Sequence, residues 1–405
     1  MSSFKISIPD ALIDDLRQKL ELARLPDELE DAGWDYGVPL ADVRRLVALW
    51  KDGYDWRKHE KELNDELPQF TRDIEVEGFG SLNVHYVHKE SETKNAIPLL
   101  FIHGWPGSFL EVRKILPLLT SGSPCFHVVA VGQPGYGFSE APKKGGFGVP
   151  QYAQLGHKLM ISLGYTEYVT QAGDWGHSVA RTISSVYGPK YAKAWHTNVL
   201  FGFPPAHDSP ETYTLAEKEG LERSKWFQEK GTGYMHEHNT QPQTLGYSLA
   251  DSPVGLLAWI YEKLVNWSDT YPWDDDEVLT WISIYWFSRA GPAASIRNYY
   301  EHNKMGGRLW LIEKYPTTIP LGYSRFPKDL AVHPRSYVHI LHHLLLLLTL
   351  CCSWIKETNL VFESVHESGG HFAAHEKPIE LVDDLRKMFG KNCPAFGVVA
   401  ERNGY

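Results

Sequence analysis

The sequence predicts an α/β protein with a mostly parallel sheet and helices on both faces. Short apolar runs that end in Gly and Pro are typical of buried parallel strands, and two of them start at Ile97 (IPLLFIHGWPGS) and Phe126 (FHVVAVGQPGYGFS). Segments with helical periodicity separate such runs, and strands that alternate with helices form parallel sheets. A helical, Trp- and Tyr-rich stretch at 206–310 interrupts the alternation, after which the strand pattern returns.

The first 95 residues have a mixed pattern of their own. Helical spacing of apolar residues covers 8–25 and 41–50, and 71–90 alternates like a hairpin. We therefore expect 1–95 to form a leader region that packs on the α/β core.

The two parts of the core and the helical insert are divided as follows. Residues 96–205 form the first part of the core, 206–310 a helical lid and 311–405 the second part. In the first part we expect helices at 108–120 and 151–163, a strand–turn–helix at 166–188 and a strand at 194–205. Later elements are helices at 252–267 and 274–291, strands at 317–327 and 359–366, and a helix that begins near Pro378.

Composition limits the class of function. The 405 residues are 43 % apolar and 22 % charged, which excludes a disordered, fibrous or channel-forming chain. A net charge of −10 argues against nucleic-acid binding, since phosphate neutralisation needs a basic surface.

Cysteine usage and the N-terminus bear on the compartment. The four cysteines contain no CxxC pair and no disulfide-framework spacing: Cys125, Cys351, Cys352 and Cys393. The N-terminus has no uninterrupted apolar stretch of the secretory or anchoring kind. We expect a cytoplasmic protein with reduced thiols.

The most informative segment is Gln171-Ala172-Gly173-Asp174-Trp175-Gly176. A strand enters it, a helix leaves it, and small residues flank a polar one, which is the pattern of a nucleophile elbow. That position usually holds Ser. A carboxylate such as Asp174 attacks an activated sp³ carbon and forms an ester, which water must then hydrolyse. The alternative is that Asp174 only caps the helix.

Two further segments supply partners for such a nucleophile. His103-Gly104-Trp105-Pro106 follows an earlier strand, so the backbone N–H groups of Trp105 and Trp175 are the predicted oxyanion donors, although HGWP alone could be a plain turn. His371 follows two glycines between a strand and the last helix, and is the candidate general base.

At this point the sequence resembles the epoxide hydrolases of the α/β-hydrolase superfamily, in the branch of the microsomal enzyme and its soluble fungal relatives. The resemblance covers nearly the whole chain and rests on motifs in order: HGWPGSF, GYGFS, AGDWG, the lid string from TGYMHEHN to LLAWIYEKL, SIRNYYEHN, RFPKDL and SGGHFAAHEKP. It implies the α/β-hydrolase fold with a helical lid and a role in detoxification or in the breakdown of aromatic compounds. The sequence has no P-loop-type glycine motif and no metal-ligand cluster, so we expect no cofactor and no metal.

By position, the resemblance implies a role for each of five residues. Asp174 matches the nucleophile, His371 the general base, and Asp329 the acid that orients the histidine. Tyr234 and Tyr299 match the lid tyrosines that hold the epoxide oxygen, with Tyr300 as the choice if the register slips by one. The implied partners are a small apolar or aromatic epoxide and water, with a homodimer as an option.

Two features depart from the family pattern. His177 stands where a small residue or Ser is common, although a bulky side chain at this position can still point outward. Residues 339–357 lengthen the segment between Asp329 and His371 beyond what the family usually needs. They are interpreted first as extraneous sequence such as a retained intron, next as a surface helix, and last as a metal site at His342 and His343.

Two other functions remain open at this stage. A haloalkane dehalogenase shares the Asp nucleophile, the elbow and the histidine, but its leaving halide needs N–H donors such as tryptophan. Trp175 keeps that reading possible, whereas the tyrosines in GYMH and RNYY argue against it. Alternatively, the extra segment could leave an inactive module that binds apolar ligands.

Overall fold

The computed structural model describes residues 2–200, 211, 213–334 and 359–405. Within them the chain forms a nine-stranded sheet with the order β1-β2-β3-β5-β4-β6-β7-β8-β9. The strands are β1 Ser2–Ser3, β2 Gln69–Val76, β3 Gly80–Lys89, β4 Ile97–Ile102, β5 Phe126–Val131, β6 Tyr168–Ala172, β7 Ala192–Thr197, β8 Leu321–Arg325 and β9 Leu360–Val365.

The helices of the described residues fall before, between and after these strands. They are α1 Asp10–Glu21, α2 Leu40–Asp52, α3 Trp56–Glu66, α4 Leu116–Thr120, α5 Val149–Ser162, α6 Asp174–Tyr187, α7 Leu215–Trp226, α8 Gly233–Thr240, α9 Pro242–Asp251, α10 Pro253–Asn266, α11 Asp275–Trp286, α12 Arg297–Lys304, α13 Gly307–Lys314, α14 Ala373–Glu376 and α15 Pro378–Phe389.

The sheet confirms the predicted α/β class. The six strands β5-β4-β6-β7-β8-β9, in sheet order, pair in parallel with their neighbours. Strands β1, β2 and β3 add antiparallel pairs at one edge. Every residue of β4 is buried, and successive side chains serve opposite faces. Leu99 and Phe101 join one hydrophobic cluster, and Leu100 and Ile102 join the other. The sheet therefore has a core on each side.

The first 95 residues contribute three strands to the sheet itself. The expected hairpin at 71–90 exists as β2 and β3, and β3 pairs with β5 to extend the sheet. Helices α1, α2 and α3 contact the lid helices α10 and α11. The first 95 residues thus connect the sheet edge to helices α10 and α11.

The segment 108–120 is not the single helix that its periodicity predicts. It holds a 3₁₀ turn at Phe109–Val112, which Ser108 caps by accepting a hydrogen bond from Leu110 N at 3.2 Å, and the short helix α4. Pro117 lies in the first turn of α4, where its missing N–H costs nothing, so the second helix starts there. The predicted strand at 194–205 ends at Thr197, and residues 201–205 lie outside the described residues.

Candidate active site

Asp174 lies at a sharp turn between β6 and α6. Its φ of +48° is unusual for a residue other than glycine and is held by tight surroundings. A Cβ on Gly176 would lie 2.0 Å from the carbonyl oxygen of Ile102, so the helix approaches β4 as closely as it does only because this residue is glycine. The turn has the geometry that the sequence predicts for a nucleophile elbow.

The loop after β4 holds one oxygen of this carboxylate. Trp105 N donates a hydrogen bond to Asp174 Oδ1 at 2.8 Å. A Cβ on Gly104 would lie 2.1 Å from that same Oδ1. Trp175 N belongs to the first turn of α6, where N–H groups lack intrahelical partners, and within the described residues it makes no hydrogen bond to the carboxylate.

His371 lies between two carboxylates. Its Nε2 is 3.4 Å from Asp174 Oδ2, and its Nδ1 is 2.7 Å from Asp329 Oδ1. Its backbone N–H donates to the carbonyl oxygen of Trp267 at 2.8 Å, which fixes the loop that carries it against the lid. Leu330 N donates to Asp329 Oδ1 at 2.6 Å and holds that carboxylate in place. The three residues therefore form one connected chain of polar contacts.

The two carboxylates decide the charge of His371. Burial lowers the pKa of its imidazole, but the charges and hydrogen bonds of Asp329 and Asp174 outweigh burial and raise the pKa to about 10. In the resting protein at neutral pH, His371 is an imidazolium ion paired on both sides.

The two lid tyrosines face the same region. Tyr234 is stacked on Trp105 with ring centroids 5.1 Å apart, and Tyr299 packs edge-on against Trp175 at 4.7 Å. Their own ring centroids are 6.0 Å apart. Burial, and then the nearby charge of Asp174, raise the pKa of Tyr234, and burial likewise raises that of Tyr299, so both remain protonated phenols. Both can donate hydrogen bonds.

A cavity of about 660 Å³ joins these groups. Asp174, Trp175, Tyr234 and Tyr299 all line it. The remaining wall is part apolar and part polar. Its apolar residues include Leu221, Phe227, Met235 and Leu330, and its polar residues include Lys225, Gln228, Asn239, His302, Asn303, Arg308 and His333. The carboxylate and the phenols thus share one space large enough for a small organic molecule.

Comparison with protein families adds an independent finding. Residues 1–112 match the family described as "Epoxide hydrolase N terminus", and residues 97–230 match the "alpha/beta hydrolase fold" family. The chain is 35 % identical to a putative epoxide hydrolase of Stigmatella aurantiaca, over 96 % of this chain and 84 % of that protein. It is 32 % identical to epoxide hydrolase 1 of Sus scrofa, over 96 % and 88 %. The chain belongs to the epoxide hydrolase family.

Solved structures agree with this assignment. The epoxide hydrolase of Aspergillus niger matches with a TM-score of 0.81 and 36 % identity, over 95 % of this chain and 94 % of that one. The juvenile hormone epoxide hydrolase of Bombyx mori matches with a TM-score of 0.81 and 27 % identity, over 95 % and 92 %. The protein is therefore an enzyme of the epoxide hydrolase class with the α/β-hydrolase fold.

Glu111 lies close to the site of this epoxide hydrolase and is not among the residues that the sequence singles out. Burial raises the pKa of its carboxyl to about 8, an effect that the charge of His371 opposes and that of Asp174 reinforces. A Cβ on Gly107 would lie 1.7 Å from Glu111 Oε1, so this carboxyl folds back over the HGWPG loop. Only its position shortly after HGWPGSF could have drawn attention to it.

Helix α11 also holds that loop in place. Trp281 Nε1 donates to the carbonyl oxygen of Pro106 at 2.6 Å, and Tyr285 Oη donates to that of Gly107 at 2.6 Å. Both donors lie on α11, where helical periodicity predicts burial but gives no sign of these hydrogen bonds.

The His177 side chain does not point outward. His177 is only 4 % exposed, and its Nδ1 lies 3.2 Å from Thr197 Oγ1. Burial lowers the pKa of this imidazole to about 3, so it is a neutral polar group under the elbow. Thr197 at the end of β7 supplies a hydrogen-bond partner for this buried ring.

Several other expectations concern parts of the chain that are not described. The extra segment 339–357, with His342, His343, Cys351 and Cys352, lies outside the described residues. Within them, Cys125 and Cys393 are free thiols, no cluster of three His, Cys, Asp or Glu side chains could hold a metal ion, and no helix has the length and apolar character needed to span a bilayer.

Proposed function

We propose that this enzyme converts epoxides to vicinal diols through an ester on Asp174, with His371 and Asp329 acting in hydrolysis and Tyr234 and Tyr299 in ring opening. One observation carries the proposal: a carboxylate paired with a buried histidine shares a cavity with two protonated phenols. A nucleophile and a proton donor that can reach the same substrate are what epoxide opening requires.

Ring opening comes first. Trp105 N binds Asp174 Oδ1, which leaves Oδ2 to attack an epoxide carbon. As the C–O bond breaks, the ring oxygen becomes an alkoxide, and a hydrogen bond from each phenol stabilises the growing negative charge. The oxygen takes up a proton and becomes the hydroxyl group of a hydroxyalkyl ester.

Ester formation lowers the pKa of His371, as the hydrolysis step requires. Esterified Asp174 is neutral, so one of the two carboxylates that raise the pKa of His371 is lost. The proton that the imidazolium then gives up balances the proton gained by the ring oxygen. Neutral His371, held by Asp329, deprotonates a water molecule that attacks the ester carbonyl.

The oxyanion of this second step develops where a donor is already present. Trp105 N contacts the Asp174 oxygen that becomes the carbonyl oxygen, and Trp175 N is the second donor in the proposal. Collapse of the tetrahedral intermediate releases the diol, returns the carboxylate and leaves the proton of water on His371. The cycle closes with all protons accounted for.

The substrate, compartment and assembly belong to the same proposal. The apolar wall of the cavity supports a small apolar or aromatic epoxide. The free thiols Cys125 and Cys393 support a reducing compartment such as the cytoplasm. A division into leader (1–95), core (96–205 and 311–405) and lid (206–310) also remains part of the proposal, as does a homodimer. Haloalkane dehalogenation is less well supported, because all the relatives named above are epoxide hydrolases.

Trapping of the ester tests the proposal. His371→Gln protein exposed briefly to styrene oxide should gain the mass of one substrate molecule on the peptide that contains Asp174, because ring opening proceeds and hydrolysis does not. Asp174→Asn is the matched control and should gain no mass there. A wild-type single turnover in ¹⁸O-labelled water should give a first diol without label. Label in that first diol, or an adduct on another residue, would overturn the covalent route.

A further inference from the structure

A buried ammonium group lies next to one of the two lid tyrosines. Lys263 on α10 has a side chain only 3 % exposed, and its Nζ lies over the Tyr234 ring, 4.8 Å from the centroid. The same Nζ is 5.5 Å from the Trp259 ring centroid and 2.5 Å from Glu262 Oε1. No comparable cation lies over the Tyr299 ring among the described residues.

Burying the ammonium group of Lys263 costs free energy that a residue with only a packing role would not require. Removing an ammonium group from water costs several kcal/mol, and one carboxylate on the adjacent residue restores only part of it. The neighbouring buried positions of α10 are apolar, for example Leu256, Ile260 and Leu264. A methionine at 263 would fill the same space without the desolvation cost, so the charge itself calls for an explanation.

The surroundings of Tyr234 give that explanation. Burial and the charges of Asp174 and Glu262 disfavour negative charge on its oxygen, whereas the charge of Arg308, which also lines the cavity, favours it. His238, which packs edge-on against the same ring at 5.4 Å, supplies no positive charge, because burial lowers the pKa of its imidazole to about 3. A cation over the face of an aromatic ring makes the potential at the ring and its hydroxyl more positive.

We propose that Lys263 is a positioning residue that acts through the Tyr234 ring to make this phenol the stronger of the two hydrogen-bond donors to the epoxide oxygen. The inference rests on the proposed function, because it assigns a supporting group to one of its proton donors. It predicts that the two lid tyrosines are unequal: the Lys263 charge speeds ester formation and has no part in ester hydrolysis.

A double-mutant cycle tests the inference. Lys263→Met, which keeps length and removes charge, should slow single-turnover ester formation with styrene oxide about tenfold, within the range of a cation over a desolvated ring. Lys263→Arg should retain most of the rate. In a Tyr234→Phe background, which keeps the ring but not the hydroxyl, Lys263→Met should cause no further slowing. In a Tyr299→Phe background it should slow the reaction as in the wild type.

The outcomes separate electrostatics from packing. Equal slowing in the wild type and in Tyr234→Phe, or slowing of ester hydrolysis as well, would mean that Lys263 only supports α10 and would overturn the inference. If Lys263→Met is insoluble, Lys263→Gln enters the same cycle. Failure of wild-type protein to form any ester would refute the proposed function itself, whereas ester formation without coupling between positions 263 and 234 would refute only this inference.

Discussion

Tyr299 and Tyr300 are chemically identical neighbours in very different surroundings. Tyr299 is 2 % exposed and packs against Trp175, whereas Tyr300 is 39 % exposed on the other side of α12. Adjacent helical residues point about 100° apart, so only one of the pair can line the cavity. The structure places Tyr299 there.

Replacement of Tyr299, but not of Tyr300, should therefore slow ester formation. Tyr299→Phe removes a buried hydroxyl that lies near Trp175 and the Tyr234 hydroxyl, and ester formation should slow by about 10², a typical contribution of general acid catalysis. Tyr300→Phe is the control and should leave the rate unchanged. Stopped-flow measurement of single turnovers checks both. Loss of rate in Tyr300→Phe alone would mean that Tyr300, and not Tyr299, is the tyrosine that acts in ring opening.

At the residue scale, the sequence identifies groups whose chemistry and motif agree, and it misses groups that only burial makes unusual. Asp174, His371 and Asp329 stand in motifs, and the structure brings them within 3.4 Å and 2.7 Å of each other. Glu111 and Lys263 are ordinary charged residues in a sequence, since nothing in local patterning shows that a carboxyl or an ammonium group is removed from water. Their importance depends on three-dimensional packing.

Two glycines next to the nucleophile set how closely the elements approach. Because a Cβ on Gly104 would overlap Asp174 Oδ1, Gly104→Ala should displace the carboxylate and reduce ester formation by at least about 10², as small misplacements of reacting groups do. Gly233→Ala is the control: it lies at the start of α8 beside Tyr234 with nothing within 4 Å of the added methyl group. Rates and melting temperatures of both variants test this, and an active Gly104→Ala protein would contradict the geometry.

At the level of elements, apolar runs predict well and polar helices predict poorly. The run at Ile97 becomes β4 and the one at Phe126 becomes β5, because a strand buried on both faces has no polar positions to obscure it. Helix α3 has the sequence WRKHEKELNDE, whose pattern of polar residues does not predict a helix. It buries His59 and Glu60 beside Trp56 and Leu63, so polar residues occupy positions where the pattern requires apolar ones.

The charge on His371 links the site to the stability of the whole molecule. Its pKa is raised from 6.5 to about 10 in the folded state, so the folded protein binds this proton more tightly than the unfolded chain. The resulting stabilisation is complete below pH 6.5 and is lost as the pH rises towards 10. Asp329→Asn removes one source of the shift.

Urea unfolding at several pH values tests this linkage. Asp329→Asn should lower the free energy of unfolding by several kcal/mol at pH 6, and the difference from wild type should shrink by pH 10. Asp383→Asn is the control, because its carboxyl is about half exposed and 3.7 Å from Arg386, and it should change stability by less than about 1 kcal/mol. A difference that grows with pH would reverse the assigned sign.

The extra segment 339–357 is open to a direct test. In the sequence, 34 residues separate Arg325 at the end of β8 from Leu360 at the start of β9, and removal of 19 leaves 15. A crossover between parallel strands needs about 10–12. A chain without 339–357 should therefore remain soluble and form the diol. Loss of soluble protein on deletion would show that the segment is a genuine part of the fold.

The pairing of β3 with β5 has a consequence for any shortened version of this enzyme. Without the first 90 residues, the backbone N–H and C=O groups of β5 that now bind β3 would face solvent along an uncovered strand of six buried residues. Such an edge is a template for association with other chains. The leader thus protects the sheet from aggregation, and a truncated enzyme would lose solubility before the chemistry of Asp174 could be measured.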